Sequence, residues 1–181
     1  LNGNGEYDAN AGRSGVGEFA DAMIEMDHRV GQLIDAVDAL GIAQDTLFIF
    51  ASDNGPELRR PWRGTAGPWT GTYHTAMEGG LRVPLIVRWP GQVTPGHVSD
   101  DIVHVTDLFT TLICAGGGQT PTDRPIDGVN QLAWWTGRAE KSAREGFLFY
   151  IKNELRAAKW RHWKMHMIFE SEPNAGTRHL E

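Results

Sequence analysis

The composition of this 181-residue chain fits one globular unit with a sizeable core, since 40% of its residues are hydrophobic and 22% are charged. That balance excludes a disordered composition, and a net charge of −6 argues against a nucleic-acid surface. The single cysteine, Cys114, excludes an intrachain disulfide. No apolar run approaches the ~18 residues of a membrane span, and no signal peptide is recognisable, which leaves the compartment open between cytoplasm and periplasm.

The first regular element expected is a long amphipathic helix from about Val16 to Leu40, after a Gly/Asn-rich loop. Apolar side chains recur there at alternating spacings of four and three residues, which places them on one stripe. The stripe consists of Phe19, Met23, Met26, Val30, Leu33 and Val37. We expect this stripe to fill the core and Gly41 to end the helix.

The next element is an apolar run from Thr46 to Ala51 that stops at Asp53, Asn54 and a Gly55-Pro56 breaker. This pattern is typical of a short buried strand in a parallel sheet. Ligands of open α/β sheets bind beyond the carboxyl ends of the strands, where Asp53 and Asn54 would lie. Their oxygens suit Ca²⁺ or Mg²⁺, although Asp-Asn-Gly-Pro is also ordinary turn chemistry.

A long loop rich in glycine, proline and tryptophan follows, from Pro56 to Glu78. Loops of this length in compact domains are usually functional or disordered. It carries Arg59, Arg60 and Arg63, and aromatic walls beside cations suit an anionic aryl or sugar ester. The alternative is a surface loop whose tryptophans pack beneath it.

The segment Glu78-Gly79-Gly80-Leu81-Arg82 is expected to turn the chain tightly into a strand from Val83 to Trp89. Glycines at this point fit a positive φ or a close approach of two backbones. Glu78 and Arg82 are expected to pair with each other or with neighbours rather than with substrate.

Polar residues open the next predicted helix, which begins near Thr106 and ends near Ala115. His104 and Asp107 could form a catalytic charge pair, but an N-capping role of Thr106 or Asp107 explains the pattern more simply.

The remainder predicts a linker-like loop to Gly128, a helical turn over Leu132–Trp135 and three short strands. The strands span Gly146–Ile151, Leu155–Trp160 and Trp163–Phe169. The last alternates apolar and polar residues, as a half-covered antiparallel strand does. Its neighbouring histidines, His162 and His166, fit exposed positions better than a zinc pair.

A series of ordered motifs carries a family resemblance. Ser52-Asp-Asn-Gly-Pro56 precedes Glu78-Gly-Gly-Leu-Arg82, which continues into Val-Pro-Leu-Ile-Val-Arg-Trp-Pro-Gly91. The helix from Phe19 to Asp27, the segment from Val105 to Gly128 and the late hairpin Trp160-Arg-His-Trp-Lys164 match as well. With these motifs the chain resembles the sulfatase family of the alkaline-phosphatase-like superfamily.

The resemblance implies an α/β fold: part of a mostly parallel sheet flanked by helices, followed by a small antiparallel C-terminal subdomain. We place the α/β part at residues 1–128 and the antiparallel part at residues 129–181. It also implies hydrolysis of a small anionic sulfate ester, in which a formylglycine hydrate attacks sulfur. A divalent cation would polarise the sulfate oxygens, with Ca²⁺ favoured over Mg²⁺, Mn²⁺ or Zn²⁺ and with Asp53 and Asn54 as ligands.

One position departs from the family pattern. The family has a sulfate-contacting lysine five residues before the Glu-Gly-Gly motif, and this chain has Tyr73 there, beside His74. His74 could stabilise an ester oxygen or protonate a leaving group. Arg59, Arg60 or Arg63 could supply the missing charge, since guanidinium matches a tetrahedral oxyanion.

Two family features are absent from the chain. It contains no Cys-x-Pro-x-Arg nucleophile motif, because Cys114 is followed by Ala-Gly-Gly-Gly, and the paired N-terminal aspartates of the metal site are missing. We therefore expect part of an active site, inactive alone, that self-associates or pairs with a missing N-terminal half. The alternatives are a phosphate or phosphonate ester hydrolase of the same superfamily and a non-catalytic binding or assembly module.

Overall fold

The computed structural model describes residues 12–57 and 64–169. Four helices and five strands form this part of the chain, together with a 3₁₀ turn at Ala43–Asp45. The helices are α1 (Glu18–Ala39), α2 (Glu78–Leu81), α3 (Val105–Ala115) and α4 (Leu132–Trp135). The strands are β1 (Phe48–Ala51), β2 (Leu85–Arg88), β3 (Gly146–Ile151), β4 (Glu154–Trp160) and β5 (Trp163–His166). No helix of the described part is both long and apolar enough to cross a membrane.

The first helix, α1, confirms the helix predicted from the apolar periodicity of the sequence. A glycine ends it, as predicted. Gly41 adopts a φ of 68° just after the C-cap residue Leu40. Its N–H donates to the Asp38 carbonyl at 3.0 Å, and the N–H of Ile42 donates to the Val37 carbonyl at 3.3 Å. This pair of bonds is a Schellman motif, which glycine permits because it has no Cβ to clash at positive φ.

The apolar stripe of α1 does not fill a core in this chain, contrary to the sequence prediction. Phe19, Met23 and Leu33 are 44%, 44% and 59% exposed. The apolar residues that are fully buried within the described part are only Ala76 and Ala157. Most of the stripe of this correctly predicted amphipathic helix is therefore open to solvent, although Val30 and Val37 are half-buried.

The sheets are antiparallel, so the mostly parallel sheet expected from the sequence is not observed among the described strands. β1 pairs antiparallel with β2, and Phe48 faces Arg88 while Ala51 faces Leu85. A parallel pair needs a crossover connection, usually a long helix, and the described residues of the link between these strands carry only the four-residue α2. β1 is half-buried rather than buried, which fits a two-stranded sheet.

The antiparallel pairing has a consequence for the position of the loop between the two strands. Since Ala51 at the end of β1 faces Leu85 at the start of β2, residues 52–84 leave and re-enter the sheet at one end. That end is the carboxyl end of β1, where Asp53 and Asn54 emerge. The motif-bearing loops therefore gather at a single edge.

The C-terminal strands confirm the predicted antiparallel unit. β3, β4 and β5 form a three-stranded sheet in chain order. Two apolar side chains of β5 are exposed to solvent: Trp163 is 74% exposed and Met165 60%.

Asp107 on α3 contacts Val129, Gln131 and Arg144, so the parts before and after residue 128 are joined by buried polar bonds. The domain boundary itself stays a prediction.

Candidate functional site

Asp53 and Asn54 lie immediately beyond β1, as the strand pattern predicts. Asp53 is exposed and Asn54 is half-buried. The Asn54 amide donates from Nδ2 to the Gly55 carbonyl at 2.9 Å, and the Ser52 hydroxyl donates to the Asn54 carbonyl at 3.1 Å. These short-range bonds fix the turn and direct the side-chain nitrogen of Asn54 to the backbone, so its Oδ1 is the atom left for a cation.

Backbone hydrogen bonds connect this turn to the other two sequence motifs. The Gly55 N–H donates to the Gly80 carbonyl at 3.0 Å, and the Tyr73 N–H donates to the Pro56 carbonyl at 3.0 Å. The Glu-Gly-Gly segment and the Tyr73-His74 turn are thus both bonded to the residues that follow Asn54. Motifs separated by about twenty residues in sequence form one loop cluster at the edge of the sheet.

His74 adopts a backbone conformation that is uncommon for residues other than glycine. Its φ is 62°, in the left-handed region, and its ring meets the Tyr73 ring edge-on with centroids 4.0 Å apart. Both residues are half-buried. Left-handed non-glycine residues cost free energy and persist where surrounding contacts fix them, often at functional sites. This geometry keeps His74 as a candidate site residue.

The other candidate site residues from the sequence are three arginines and Tyr73. Arg59, Arg60 and Arg63 lie outside the residues that the structure describes. Tyr73 lies in the loop cluster, as its position before the Glu-Gly-Gly segment predicts.

The residues at this edge fit part of a divalent-cation site. Asp53 supplies an exposed carboxylate and Asn54 a carboxamide oxygen, the hard donors that Ca²⁺ and Mg²⁺ prefer. Within residues 12–57 and 64–169, no group of three or more His, Cys, Asp or Glu side chains could hold a metal ion. Two ligands are too few for a cation that takes six or more oxygens, so further donors are required.

Close backbone approach explains both glycines of the Glu-Gly-Gly segment, one of the two reasons that the sequence offered. A Cβ on Gly79 would overlap the Gly71 carbonyl, and a Cβ on Gly80 would overlap the Thr72 carbonyl. Neither glycine has a positive φ. The Gly79 N–H also donates to the Thr70 carbonyl at 2.8 Å, so side chains at these positions would push the loops apart.

We predict that Gly79→Ala lowers the free energy of unfolding by about 1–3 kcal/mol, the usual cost of overpacking a filled space. Gly31 in α1 is the matched control, because a Cβ there meets nothing within 4 Å. Gly31→Ala should stabilise the chain by about 0.5–1 kcal/mol through helix propensity. Urea unfolding measures both, and equal stability of the two variants would contradict the packing assigned to Gly79.

Two lysines that the sequence analysis did not single out join the Glu78–Arg82 pair. The Glu78 carboxylate accepts from Arg82 Nε at 2.7 Å, which confirms the predicted pair, from Lys164 Nζ at 3.0 Å and from Lys159 Nζ at 3.4 Å. The signal that could have found them is the predicted hairpin. It places Lys159 opposite Lys164, and like charges facing each other across two strands repel, which favours a nearby anion.

Glu78 is held in its charged form. Burial alone would raise the pKa of this carboxyl, but hydrogen bonds from Arg82 and Lys164 and the charges of Lys164 and Lys159 outweigh it and lower the pKa to about 2. The Arg82 guanidinium also lies over the Trp69 ring, 4.1 Å from its centroid. The cluster therefore links α2, the loop that carries Trp69 and the C-terminal sheet.

His104 and Asp107 form a structural arrangement, not a catalytic pair. The N-cap of α3 is His104 rather than Thr106 or Asp107, and Asp107 accepts from the His104 N–H at 2.9 Å as the other half of a capping box. Asp107 is fully buried and paired with Arg144 at 2.5 Å. Its oxygens also accept from Val129 and Gln131, which leaves them no role as a proton acceptor.

Burial and neighbouring groups shift the pKa values of His104 and Asp107. Burial lowers the pKa of His104, and the Arg144 charge lowers it further. Burial would raise the pKa of Asp107, but the Arg144 hydrogen bonds and those from the Val129 and His104 amides lower it overall. A neutral imidazole beside a charged carboxylate is what the capping box requires.

The chain is similar to known sulfatases in sequence. The Sulfatase family model matches residues 3–117. Steryl-sulfatase of Mus musculus is 36% identical over 156 residues, covering 83% of this chain and 25% of its own length. Arylsulfatase H of Homo sapiens is 37% identical over 170 residues, covering 87% and 30%. The chain thus spans less than a third of these relatives.

Solved structures give the same result. The crystal structure of the PsFucS1 sulfatase from Pseudoalteromonas sp. superposes with a TM-score of 0.75 at 34% identity, over 81% of this chain and 30% of that one. Structural neighbours of this kind have the alkaline-phosphatase-like fold, and sulfatases generally bind a divalent cation. By the family match, by sequence identity and by superposition, the chain belongs to the sulfatase family.

Proposed function

We propose that this chain forms one side of a sulfate ester hydrolase site and works only together with a segment that supplies the nucleophile. The observation that carries the proposal is the pair of backbone bonds from Gly55 to Gly80 and from Tyr73 to Pro56. They gather the Asp53-Asn54 turn, the Tyr73-His74 turn and the Glu-Gly-Gly segment at the carboxyl end of β1, which supports a shared site there.

Asp53 and Asn54 are the proposed cation ligands within this chain. When bound, a divalent cation polarises the sulfate oxygens and so favours attack at sulfur. Ca²⁺ is the ion we favour, because both side chains offer the oxygen donors that this ion prefers. The nucleophile lies outside residues 1–181, since Cys114 near the end of α3 is followed by Ala-Gly-Gly-Gly.

His74 is the proposed group for the leaving-group oxygen. Its imidazole is held by the left-handed backbone and by contact with the Tyr73 ring. A positioned imidazole that protonates a departing oxygen typically contributes about 10²–10⁴-fold to the rate. Tyr73 stands where the family has a lysine, so it would meet the sulfate with a hydroxyl donor rather than a charge, and the arginines of residues 59–63 would supply the charge.

The exposed apolar surface favours a second candidate, an assembly module without activity of its own. α1 presents Phe19, Met23 and Leu33 to solvent, and β5 presents Trp163 and Met165. Apolar patches of this kind mark contact surfaces. The two candidates differ in whether the intact protein that carries this chain hydrolyses sulfate esters.

We predict that the purified chain does not hydrolyse 4-nitrophenyl sulfate, because a cation and a charged loop cannot replace the absent nucleophile. A protein in which the chain follows a Cys-x-Pro-x-Arg segment should hydrolyse it. There, Asp53→Ala should lower kcat/KM at least ~100-fold, as expected when a cation that supplies several kcal/mol of charge stabilisation is lost.

The control is Asp123→Ala, which removes an exposed aspartate paired with its neighbour Arg124. It should leave kcat/KM unchanged. Turnover by the chain alone that Asp53→Ala abolishes would contradict the fragment proposal. An intact protein with no sulfatase activity would favour the assembly module.

A further inference from the structure

The Glu78 carboxylate is surrounded by cations from three parts of the chain. Arg82 follows α2, Lys159 lies on β4 and Lys164 lies on β5. The Glu78 side chain is 23% exposed, and those of Lys159 and Lys164 only 12% and 11%. Lysine ammonium groups are rarely removed from water unless they are paired, so Glu78 is what allows both lysines to lie inward.

The sheet geometry favours this pairing in the hairpin. Lys159 and Lys164 are directly opposite each other in the β4–β5 register. Like charges at opposite positions repel, and a carboxylate between them turns the repulsion into two attractions. The hairpin is thereby held against α2, although no strand of the C-terminal sheet pairs with β1 or β2.

Glu78 is also the residue from which the Gly79-Gly80 backbone begins. The Gly79 N–H donates to the Thr70 carbonyl at 2.8 Å, and the Gly80 carbonyl accepts from the Gly55 N–H at 3.0 Å. Gly55 follows Asn54 directly. The position of the Glu78 side chain therefore bears on the proposed cation ligands through the two peptide bonds to Gly80, the hydrogen bond from Gly55 and one further peptide bond to Asn54.

We propose that Glu78 is a positioning residue through which Lys159 and Lys164 of the C-terminal sheet fix the Gly79-Gly80 backbone against the Asp53-Asn54 turn. The C-terminal sheet then acts on the site without touching substrate. The consequence for catalysis rests on the function proposed above, whereas the consequence for the backbone does not.

Hydrogen exchange of the chain tests the backbone part. In Glu78→Gln, the amides of Gly55, Gly79 and Tyr73 should lose about 10- to 100-fold of their protection, the range that the loss of a charged hydrogen bond of about 1.5–3 kcal/mol gives. The β1–β2 amides, for instance that of Ile49, should keep theirs. A purely global destabilisation would lower protection everywhere by the same factor.

Lys164→Met and Lys159→Met each remove one of the lysines that pair with Glu78. These variants test the same contacts if Glu78→Gln fails to fold. Each should reproduce the local loss at Gly55 and Gly79. Glu145→Gln is the matched control, since Glu145, just before β3, pairs with Arg161 of the β4–β5 turn at an exposed position. It should leave these amides unchanged. Unchanged exchange at Gly55 and Gly79 in all the cluster variants would overturn the proposal, as would a uniform loss.

Kinetics of the intact sulfatase test the catalytic consequence. Displaced cation ligands should lower kcat about 10-fold or more and weaken the apparent affinity for Ca²⁺, with KM changed less, and Glu78→Asp should restore part of kcat. Local exchange effects with unchanged kcat would overturn the catalytic part alone. An intact protein inactive in its wild-type form would count against the proposed function, while the exchange result would still decide whether Glu78 positions the loop.

Discussion

Replacing Asp107 by alanine is expected to lower the free energy of unfolding by about 3–5 kcal/mol, the usual cost of breaking a buried ion pair by removing one partner. Asp107 is fully buried, and the Arg144 side chain that it pairs with is 11% exposed. The variant would leave Arg144 without its counter-charge and would remove acceptors from Val129 and Gln131. Urea unfolding measures the loss.

Asp123→Ala provides the control, because Asp123 and Arg124 pair at 2.6 Å while both remain more than 60% exposed. A surface pair of this kind contributes about 0–1 kcal/mol. A second readout is pH: the pKa of Asp107 is lowered from 3.8, so its stabilisation is complete above that value and is lost as the pH falls below it. Equal losses in the two variants, or a difference between wild type and Asp107→Ala that does not narrow in acid, would contradict the assignment.

Concentration-dependent self-association of the isolated chain is the second large effect expected. Phe19, Met23 and Leu33 on α1 are 44–59% exposed, and the described residues that are apolar and fully buried are two alanines. Substituting these three positions by glutamine should therefore reduce the mass measured by light scattering toward that of a monomer. Each substitution should change stability by only about 1 kcal/mol, because about half of each side chain is already exposed in this fold.

The matched control substitutes glutamine at His28 and Ala36, two exposed positions of the same helix outside the predicted stripe. Association should persist in this variant. A wild-type chain that remains a monodisperse monomer at high concentration would contradict the prediction. A separate sulfatase fragment that packs against the apolar stripe of α1 should suppress self-association when it is added to the chain. It removes the same apolar surface from water.

Local chemistry explains the parts of the structure that the sequence predicted well. The apolar spacing from Phe19 to Val37 and the glycine at position 41 specify α1 and its end, because helix period and left-handed glycine are properties of short segments. The same holds for the Glu78–Arg82 pair, four residues apart, and for the turn that presents Asp53 and Asn54. Each depends on neighbours within a few residues.

The features that only the tertiary structure decided are all long-range. Strand periodicity does not encode direction, so the antiparallel pairing of β1 with β2 could not be distinguished from a parallel one. Burial depends on what packs against a face, so an amphipathic α1 predicted a core that the described residues do not provide. The contacts of Glu78 with Lys159 and Lys164 join residues more than eighty positions apart. The sequence by itself determined the family, the local elements and the motif that carries the proposed ligands. Folding alone decided which charges meet, because a charge pair depends on distance in space rather than along the chain.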